Sequence, residues 1–251
     1  MRLEFKLLSK IFSDGTKGLD GASLILETPS FVVMSGRNGS GKSLLIRHAL
    51  GLEEADSGDV LVDDEPLKAV LAQTRRRIAL VFQEPEHQIL GVTVREDAEF
   101  GPRAAGEHRV SYGQRVDAAL QAAGLAGYDH RLCAVLSGGE KRRLAIASAL
   151  VAEPELIILD EPFNGLDWAG CSELLQVLLD LRASGIGVLV VTHDLEKCLA
   201  HAERLVVMDS GRIVRDDCPA ALWDELSALG LRRPAGGIER LAEMTWLEQS
   251  S

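Results

Sequence analysis

The sequence has no apolar run approaching the ~20 residues that a helix needs to cross a hydrocarbon layer. Its first ten residues, "MRLEFKLLSK", carry Glu4 and lack both a long apolar stretch and a small-residue cleavage site, so no secretory signal is expected. Paired cysteines are missing too. Cys133, Cys171, Cys198 and Cys218 lie far apart and form no C-x-x-C pair. A zinc site or a disulfide framework is unsupported, and buried free thiols in a reducing cytosol are expected. Positive charge is in deficit. The balance is 27 Lys and Arg against 38 Asp and Glu, a net charge of −11. So acidic a chain is poorly suited to non-specific nucleic-acid binding. No internal repeat or low-complexity segment is visible. What is left is a cytosolic chain of 251 residues, long enough for one large domain or a core with an inserted subdomain. Any membrane role would need a separate membrane subunit.

Glycine is present where it is most informative. "SGRNGSGKS", residues 35–43, follows the apolar run "FVVM" and precedes "LLIRHALGL". The β-branched run reads as a buried strand, and the periodic run from Leu44 to Leu50 reads as a helix. A glycine-rich turn between them aims backbone N–H groups at one point, beside the positive end of a helix dipole. That is an anion site. Gly36, Gly41, Lys42 and Ser43 fit G-x-x-x-x-G-K-[ST], with Arg37, Asn38, Gly39 and Ser40 between the glycines. Lys42 is expected to reach β- and γ-phosphates, and Ser43 to offer its hydroxyl to Mg²⁺.

Along the rest of the chain the pattern changes twice. Residues 1–35 read as strands and turns split by "SDGTKG" and "ETPS". "SGDVLVDDEPL" predicts a hairpin with Ser-Gly as its turn. "RRRIALVFQEP" predicts a strand over Ile78–Phe82 after a solvated helix end. From Pro85 to Ala134, "VREDAEFG" and "RVDAALQAAGLAG" read as helices, an inserted helical subdomain. Beyond Val151, strand and helix alternate: "LIILD", "SELLQVLLDLRASG", "GVLVVTHD", the helix "LEKCLAHA" and the hairpin "RLVVMDSGRIVRD". Such alternation implies a mostly parallel sheet. The expected boundaries are 1–84 with 150–217 for the core, 85–149 for the helical part and 218–251 for a tail of short helices and loops.

Three strand ends carry polar chemistry. "LIILDEP" puts Asp160 and Glu161 at the C-terminal end of a buried strand, where ligands of open α/β sheets bind. Asp160 can hold Mg²⁺ and Glu161 can orient and deprotonate a water. "VVTHD" places His193 similarly, suited to a γ-phosphate. "VFQEP" places Gln83 where it can bond a metal or a metal-bound water. A further stretch, "LSGGEKRRLAIASAL", sets Ser137, Gly138 and Gly139 before a helix that follows no strand of the main sheet. A plain N-cap by Ser137 is one reading. Two consecutive glycines point to a second anion site instead.

Taken together, these stretches resemble the ATPase subunits of ABC transporters. In the order of that family they are the Walker A loop Gly36–Ser43, the Q-loop Gln83 and the signature Leu136–Glu140. The Walker B strand Leu156–Asp160 with Glu161 follows, then the D-loop ending at Asp167 and the switch His193. The resemblance implies a P-loop NTPase α/β fold with a mostly parallel sheet, an N-terminal antiparallel β part and an inserted α-helical subdomain. It implies ATP and Mg²⁺, with Ser43, Gln83 and Asp160 about the metal and Glu161, His193 and Gln83 catalytic. It also implies a head-to-tail pair with a second ATPase subunit, identical or paralogous. Each ATP would then lie between the Walker A loop of one chain and Leu136, Ser137, Gly138, Gly139 and Glu140 of the other. Phe12 stands where an aromatic stacks on adenine. Leu44 replaces a usual hydroxyl at the α-phosphate, and Asn164 and Gly165 begin the D-loop where Ser and Ala are common.

Within that family, "VFQEPEHQILGVTVREDAEFGP" resembles the Q-loop region of energy-coupling-factor and cobalt–nickel importer ATPases. The shared pattern is carried by Phe82, Gln83, Pro85, Gln88, Thr93, Val94, Asp97, Phe100, Gly101 and Pro102. There this stretch forms a short helix that receives a coupling helix, so Glu84, Glu86, His87 and Gln88 are expected to meet an integral membrane coupling subunit. A separate substrate-binding membrane component and a position on the cytoplasmic face of the membrane follow from the same resemblance. The competing class is a soluble ABC ATPase of DNA repair or translation. The first usually inserts long coiled coils between Walker A and signature, for which the ~50 residues between Gln83 and the signature leave no room. The second carries two ATPase domains in one chain.

Overall fold

The computed structural model describes residues 1–235 and 237–247. Two sheets organise it. In the first, β1 (Arg2–Ile11), β2 (Lys17–Glu27), β4 (Ser57–Val62) and β5 (Glu65–Pro66) run antiparallel in the order β2-β1-β4-β5. In the second, β3 (Phe31–Ser35), β6 (Ile78–Val81), β7 (Leu156–Asp160), β8 (Gly187–Val191), β9 (Arg204–Asp209) and β10 (Arg212–Asp217) take the order β10-β9-β3-β8-β7-β6. All its pairs are parallel except the β9–β10 hairpin.

Helices fill the connections: α1 (Lys42–Ala49), α2 (Leu67–Arg77), α3 (Val94–Ala98), α4 (Phe100–Ala104), α5 (Arg109–Ala122), α6 (Gly138–Leu150), α7 (Trp168–Ala183) and α8 (Pro219–Leu222). Residues 85–149 contribute no strand to either sheet. The architecture is thus the expected one: a mostly parallel sheet, an antiparallel N-terminal sheet and an interposed helical segment.

The parallel strands are apolar on both faces, as strands covered on both sides must be. Successive residues alternate between two clusters. Phe31, Val33, Ile157, Leu159, Val188 and Val190 face the cluster built with α5, α6 and α7. Val32, Met34, Leu156, Ile158, Leu189 and Val191 face the cluster shared with the N-terminal sheet and α1. Each such side chain contributes roughly 1.5–3 kcal/mol on burial. A one-residue slip would exchange the two sets, so the register is strongly specified. That register aligns the strand ends: Asp160 pairs Val191, Val191 pairs Met34, and Val81 pairs Leu159.

Local departures from the expectations have identifiable causes. Ser57 and Gly58 do not turn; they lie in β4, against the bulged stretch of β1 between Lys6 and Ser9. The hairpin turns instead at Asp63 and Asp64, with φ of 49° and 67°. A two-residue hairpin turn of this kind needs positive φ at both central positions, which aspartate tolerates. "LEKCLAHA" is not one α-helix but two 3₁₀ turns, Leu195–Lys197 and Leu199–His201, interrupted at Cys198 with φ −139°. "VREDAEFG" spans two short helices, α3 and the start of α4. Phe82 falls outside β6, which ends at Val81.

Candidate functional site

The turn leaving β3 has no room for side chains at two positions. A Cβ on Gly36 (φ 152°) would collide with the Met208 carbonyl, and one on Gly41 (φ 102°) would stand 2.6 Å from the Gly18 carbonyl. Bare backbone there lets the loop close against β2 and β9 just before the N-terminus of α1. Lys42 lies folded along this loop and nearly buried, its ammonium 2.8 Å from Gly36 O, 3.1 Å from Arg37 O and 3.4 Å from Ser40 Oγ. Arg37, Asn38 and Gly39 are exposed at the loop's crest. Phe12 and Leu44 flank Gly18, so an exposed aromatic edge stands next to the phosphate loop.

Strand ends converge on the same place. Ser43 Oγ donates to Asp160 Oδ2 at 2.8 Å. Burial pushes the Asp160 carboxyl above its usual range, against the lowering effect of that Ser43 bond. Burial also pulls the Lys42 ammonium down, while Glu161 and Asp160 favour its charged form. A desolvated cation beside two carboxylates is suited to receive an anion that competes for it. Glu161, with φ 48° and nearly buried, is held by the end of β8: Thr192 Oγ1 donates to Oε2 at 2.9 Å and His193 N–H to Oε1 at 3.1 Å. The His193 ring reaches the same Oε1 through Nδ1 at 2.7 Å.

Lys42, Ser43, Asp160, Glu161 and His193 are therefore brought together. Gln83 follows β6 at the adjoining edge, exposed, and its side chain makes no hydrogen bond among the described residues. Its carbonyl accepts from Arg142 at 2.9 Å.

The segment Leu136–Glu140 forms a separate surface. Ser137 does cap α6: its Oγ accepts from Glu140 N–H at 3.2 Å, and Glu140 Oε2 accepts from Ser137 N–H at 2.7 Å. The capping box leaves the glycines unexplained, since a Cβ on Gly138 would meet nothing within 4 Å and one on Gly139 nothing closer than 3.8 Å. This chain's own packing does not require them. Their groove continues along Asp167, which caps α7 through Gly170 N–H at 2.8 Å, and along Glu173; no phosphate-loop residue lines it.

Between the two surfaces runs Glu84–Gln88, which contains the 3₁₀ turn Pro85–His87. Glu86 pairs with Lys141 of the same chain at 3.2 Å and Glu84 with His87 at 3.3 Å. Gln88 turns inward. Its Oε1 accepts from Phe82 N–H at 2.7 Å and its Nε2 donates to Leu80 O at 2.9 Å, so its amide extends β6's edge.

Sequence reasoning misses two residues here. Thr192, one position before His193, is a completely buried hydroxyl with a carboxylate to hold. Arg142 sits in "EKRR", a string that resembles a solvated charge run, yet residues 142–147 of α6 are all buried. Only the burial of that helix around its whole circumference could have flagged it.

Comparison with known proteins identifies the family. The sequence matches the ABC transporter family over residues 19–164, more than half of the chain. It is 36% identical over 245 residues to the energy-coupling factor transporter ATP-binding protein EcfA of Methanothermobacter thermautotrophicus, covering 96% of this chain and 78% of that protein. It is 39% identical over 233 residues to the cobalt import ATP-binding protein CbiO of Syntrophus aciditrophicus, covering 90% of this chain and 83% of that protein. The fold superposes with a TM-score of 0.83 on cbiO1 of Clostridium perfringens, part of the ABC transporter complex cbiONQ, at 32% identity and covering 89% and 90% of the two chains. Matched over residues 19–164 and by relatives 36–39% identical over most of their length, the chain belongs to the ABC transporter family.

Proposed function

We propose that this chain is the ATP-hydrolysing subunit of a membrane importer of the energy-coupling-factor type, taking up a vitamin or a transition metal. The observation that carries the catalytic half is the pair of contacts Ser43–Asp160 at 2.8 Å and Glu161–His193 at 2.7 Å beside a nearly buried Lys42. ATP is the substrate. Gly36–Ser43 cradle its phosphates, Lys42 exchanges its loop carbonyls for phosphate oxygens, and Phe12 stacks on the base. Glu161 accepts the proton of an attacking water, and His193 holds Glu161 through Nδ1 and faces the γ-phosphate with the rest of its ring. A hydroxyl and a carboxylate are the oxygen donors that Mg²⁺ takes, so Ser43 and Asp160 would hold it, with Gln83 as a further candidate. The metal supplies charge neutralisation at the phosphate oxygens. Among the described residues no group of three or more His, Cys, Asp or Glu is placed to hold a metal ion.

The bare glycines of Leu136–Glu140 support a ligand arriving from outside the chain. A second ATPase subunit, head to tail, presents its bound ATP to them, and the helical part, residues 85–149, is the arm that carries them. The importer half is supported by the EcfA and CbiO likeness and by an exposed apolar patch. Leu90, Val92, Leu132 and Val135 are exposed, and the Thr93–Leu132 bridge with Cys133 N–H bonded to Val92 O holds the two segments side by side. No described helix is long and apolar enough to cross a membrane. An integral membrane coupling subunit on this patch, bearing a substrate-binding component, gives the chain a peripheral place on the cytoplasmic face. A DNA-repair or translation ATPase is not favoured.

The test has two arms. Lys42→Ala should abolish tight ATP binding and hydrolysis by the purified chain; normal binding and turnover would remove the Walker A assignment. Glu86→Arg sets a cation against Lys141 at the Q-loop turn. It should impair transport or assembly far more than it lowers hydrolysis by the isolated chain. Normal transport, with no crosslink from a cysteine at position 86 to any membrane protein, would remove the coupling role.

A further inference from the structure

Arg142 lies in the first turns of α6, two residues past the signature segment, and is 6% exposed. Its Nη1 donates to Pro162 O at 2.6 Å and to Asn164 O at 2.9 Å, and its Nη2 to Gln83 O at 2.9 Å. Its Nε is buried and has no partner among the described residues. A single guanidinium thus bonds the main chain of two loops, the one leaving β6 and the one following Glu161. Lys197, just past His193, adds a third bond to the second loop, donating from Nζ to Phe163 O at 3.2 Å. Three consecutive carbonyls after Glu161 therefore each accept from a cation.

This arrangement is an expensive way to fill space. Burial disfavours the charged guanidinium, and an orphaned Nε adds to the cost; an apolar side chain of equal length would avoid both. What the guanidinium supplies is geometry, because its planar fork fixes two directions at once. Geometry is needed at this point. Glu161 has φ 48°, in a region that a residue with a Cβ seldom adopts and that persists only where the surroundings over-determine it. The turn Pro162–Asn164 is the surrounding that follows directly.

We propose that Arg142 is a positioning residue for hydrolysis. It aims the Glu161 carboxylate by holding the turn Pro162–Asn164, and it ties that turn to Gln83 so that both loops move with α6. The inference rests on Glu161 being the base that activates water. Arg142's bonds reach none of Lys42, Ser43 and Asp160, and the one to Gln83 is to its main-chain carbonyl and leaves the side chain that could meet Mg²⁺ untouched, so nucleotide affinity is separable from its effect.

The experiment compares Arg142→Met, Arg142→Gln and Arg142→Lys with the wild-type chain and Glu161→Gln. The readouts are kcat and KM for ATP, binding of a fluorescent ATP analogue and the melting temperature. Arg142→Met should lower kcat about tenfold or more, the scale of lost charge-assisted hydrogen bonds, with KM and analogue affinity within about twofold. Arg142→Lys, which keeps the charge and some donors, should recover part of that loss. A folded Arg142→Met chain with wild-type kcat overturns the proposal, as does a loss shared equally by kcat and nucleotide affinity. Should Arg142→Met not fold, Arg142→Gln decides, since its one amide nitrogen cannot span both loops: normal kcat overturns, reduced kcat at unchanged KM supports. Glu161→Gln separates the two readings. If it still hydrolyses ATP, the base assignment fails and the proposal with it. If it is inactive while Arg142→Met is normal, only the role of Arg142 fails.

Discussion

His193 Nδ1 lies 2.7 Å from Glu161 Oε1, and the backbone N–H of His193 donates to that same oxygen at 3.1 Å. Thr192 holds the other oxygen at 2.9 Å. Both carboxylate oxygens are thus set by the end of the neighbouring strand. A ring that donates from Nδ1 keeps Nε2 for another partner, so aiming the base and sensing the substrate become two ends of one imidazole.

His193→Ala removes the side-chain half of this grip and leaves the backbone half. It should lower kcat about 100-fold, the low end of what a positioned acid–base group contributes, with ATP still bound. Glu161→Gln should reduce turnover further, since an amide cannot accept the water's proton, and should trap a closed pair with ATP. Size-exclusion chromatography with and without ATP reads the second effect. An unchanged monomer peak at high protein and nucleotide concentration would count against the paired arrangement.

Ser137→Arg should inactivate the site of the opposing chain while leaving its own phosphate loop able to bind nucleotide. Lys42→Ala has the reverse defect. Mixing the two gives pairs in which one composite site has both halves intact. Hydrolysis in the mixture, absent from either variant alone, is the expected result; a mixture as dead as its components would place the signature in the same site as its own phosphate loop.

A pH effect should appear in the C-terminal segment. His201 Nε2 lies 2.8 Å from Thr245 Oγ1, and burial holds the ring's pKa below its ordinary value. As pH falls, the unfolded chain takes up this proton first. The stability contribution is therefore complete above the unfolded value of about 6.5 and is lost as pH drops through the lower folded value. Between pH 7 and pH 5 the melting temperature of His201→Asn should fall less than that of the wild type. Parallel curves for the two chains would remove this assignment.

Much of the site is legible because its chemistry is written in local strings. Residues 36–43 carry their glycines, lysine and hydroxyl in sequence, and Asp160, Glu161 and His193 each end an apolar run. What is illegible depends on partners far along the chain. Ser57 and Gly58 look like a turn until β1 is seen pairing with them, and Asp63 and Asp64 look like surface acids until the hairpin needs positive φ. Gln88 looks available to a partner, but β6 claims both ends of its amide. Arg142 is the extreme case. Its meaning lies in carbonyls 20 to 59 residues away, and backbone oxygens leave no trace in a sequence.

The glycine groove at the start of α6 and the phosphate loop share no residue, and in a head-to-tail pair that separation has a genetic consequence. A lesion in the groove harms the partner's site and spares its own. Where the two subunits are identical, a cell making altered and normal chains equally forms about half of its pairs mixed, and each mixed pair keeps one composite site with both halves intact. Groove substitutions such as Ser137→Arg should therefore lower transport by dose, through pairs that fire at one site only, while truncations that never fold, and so never pair, leave every remaining pair with two.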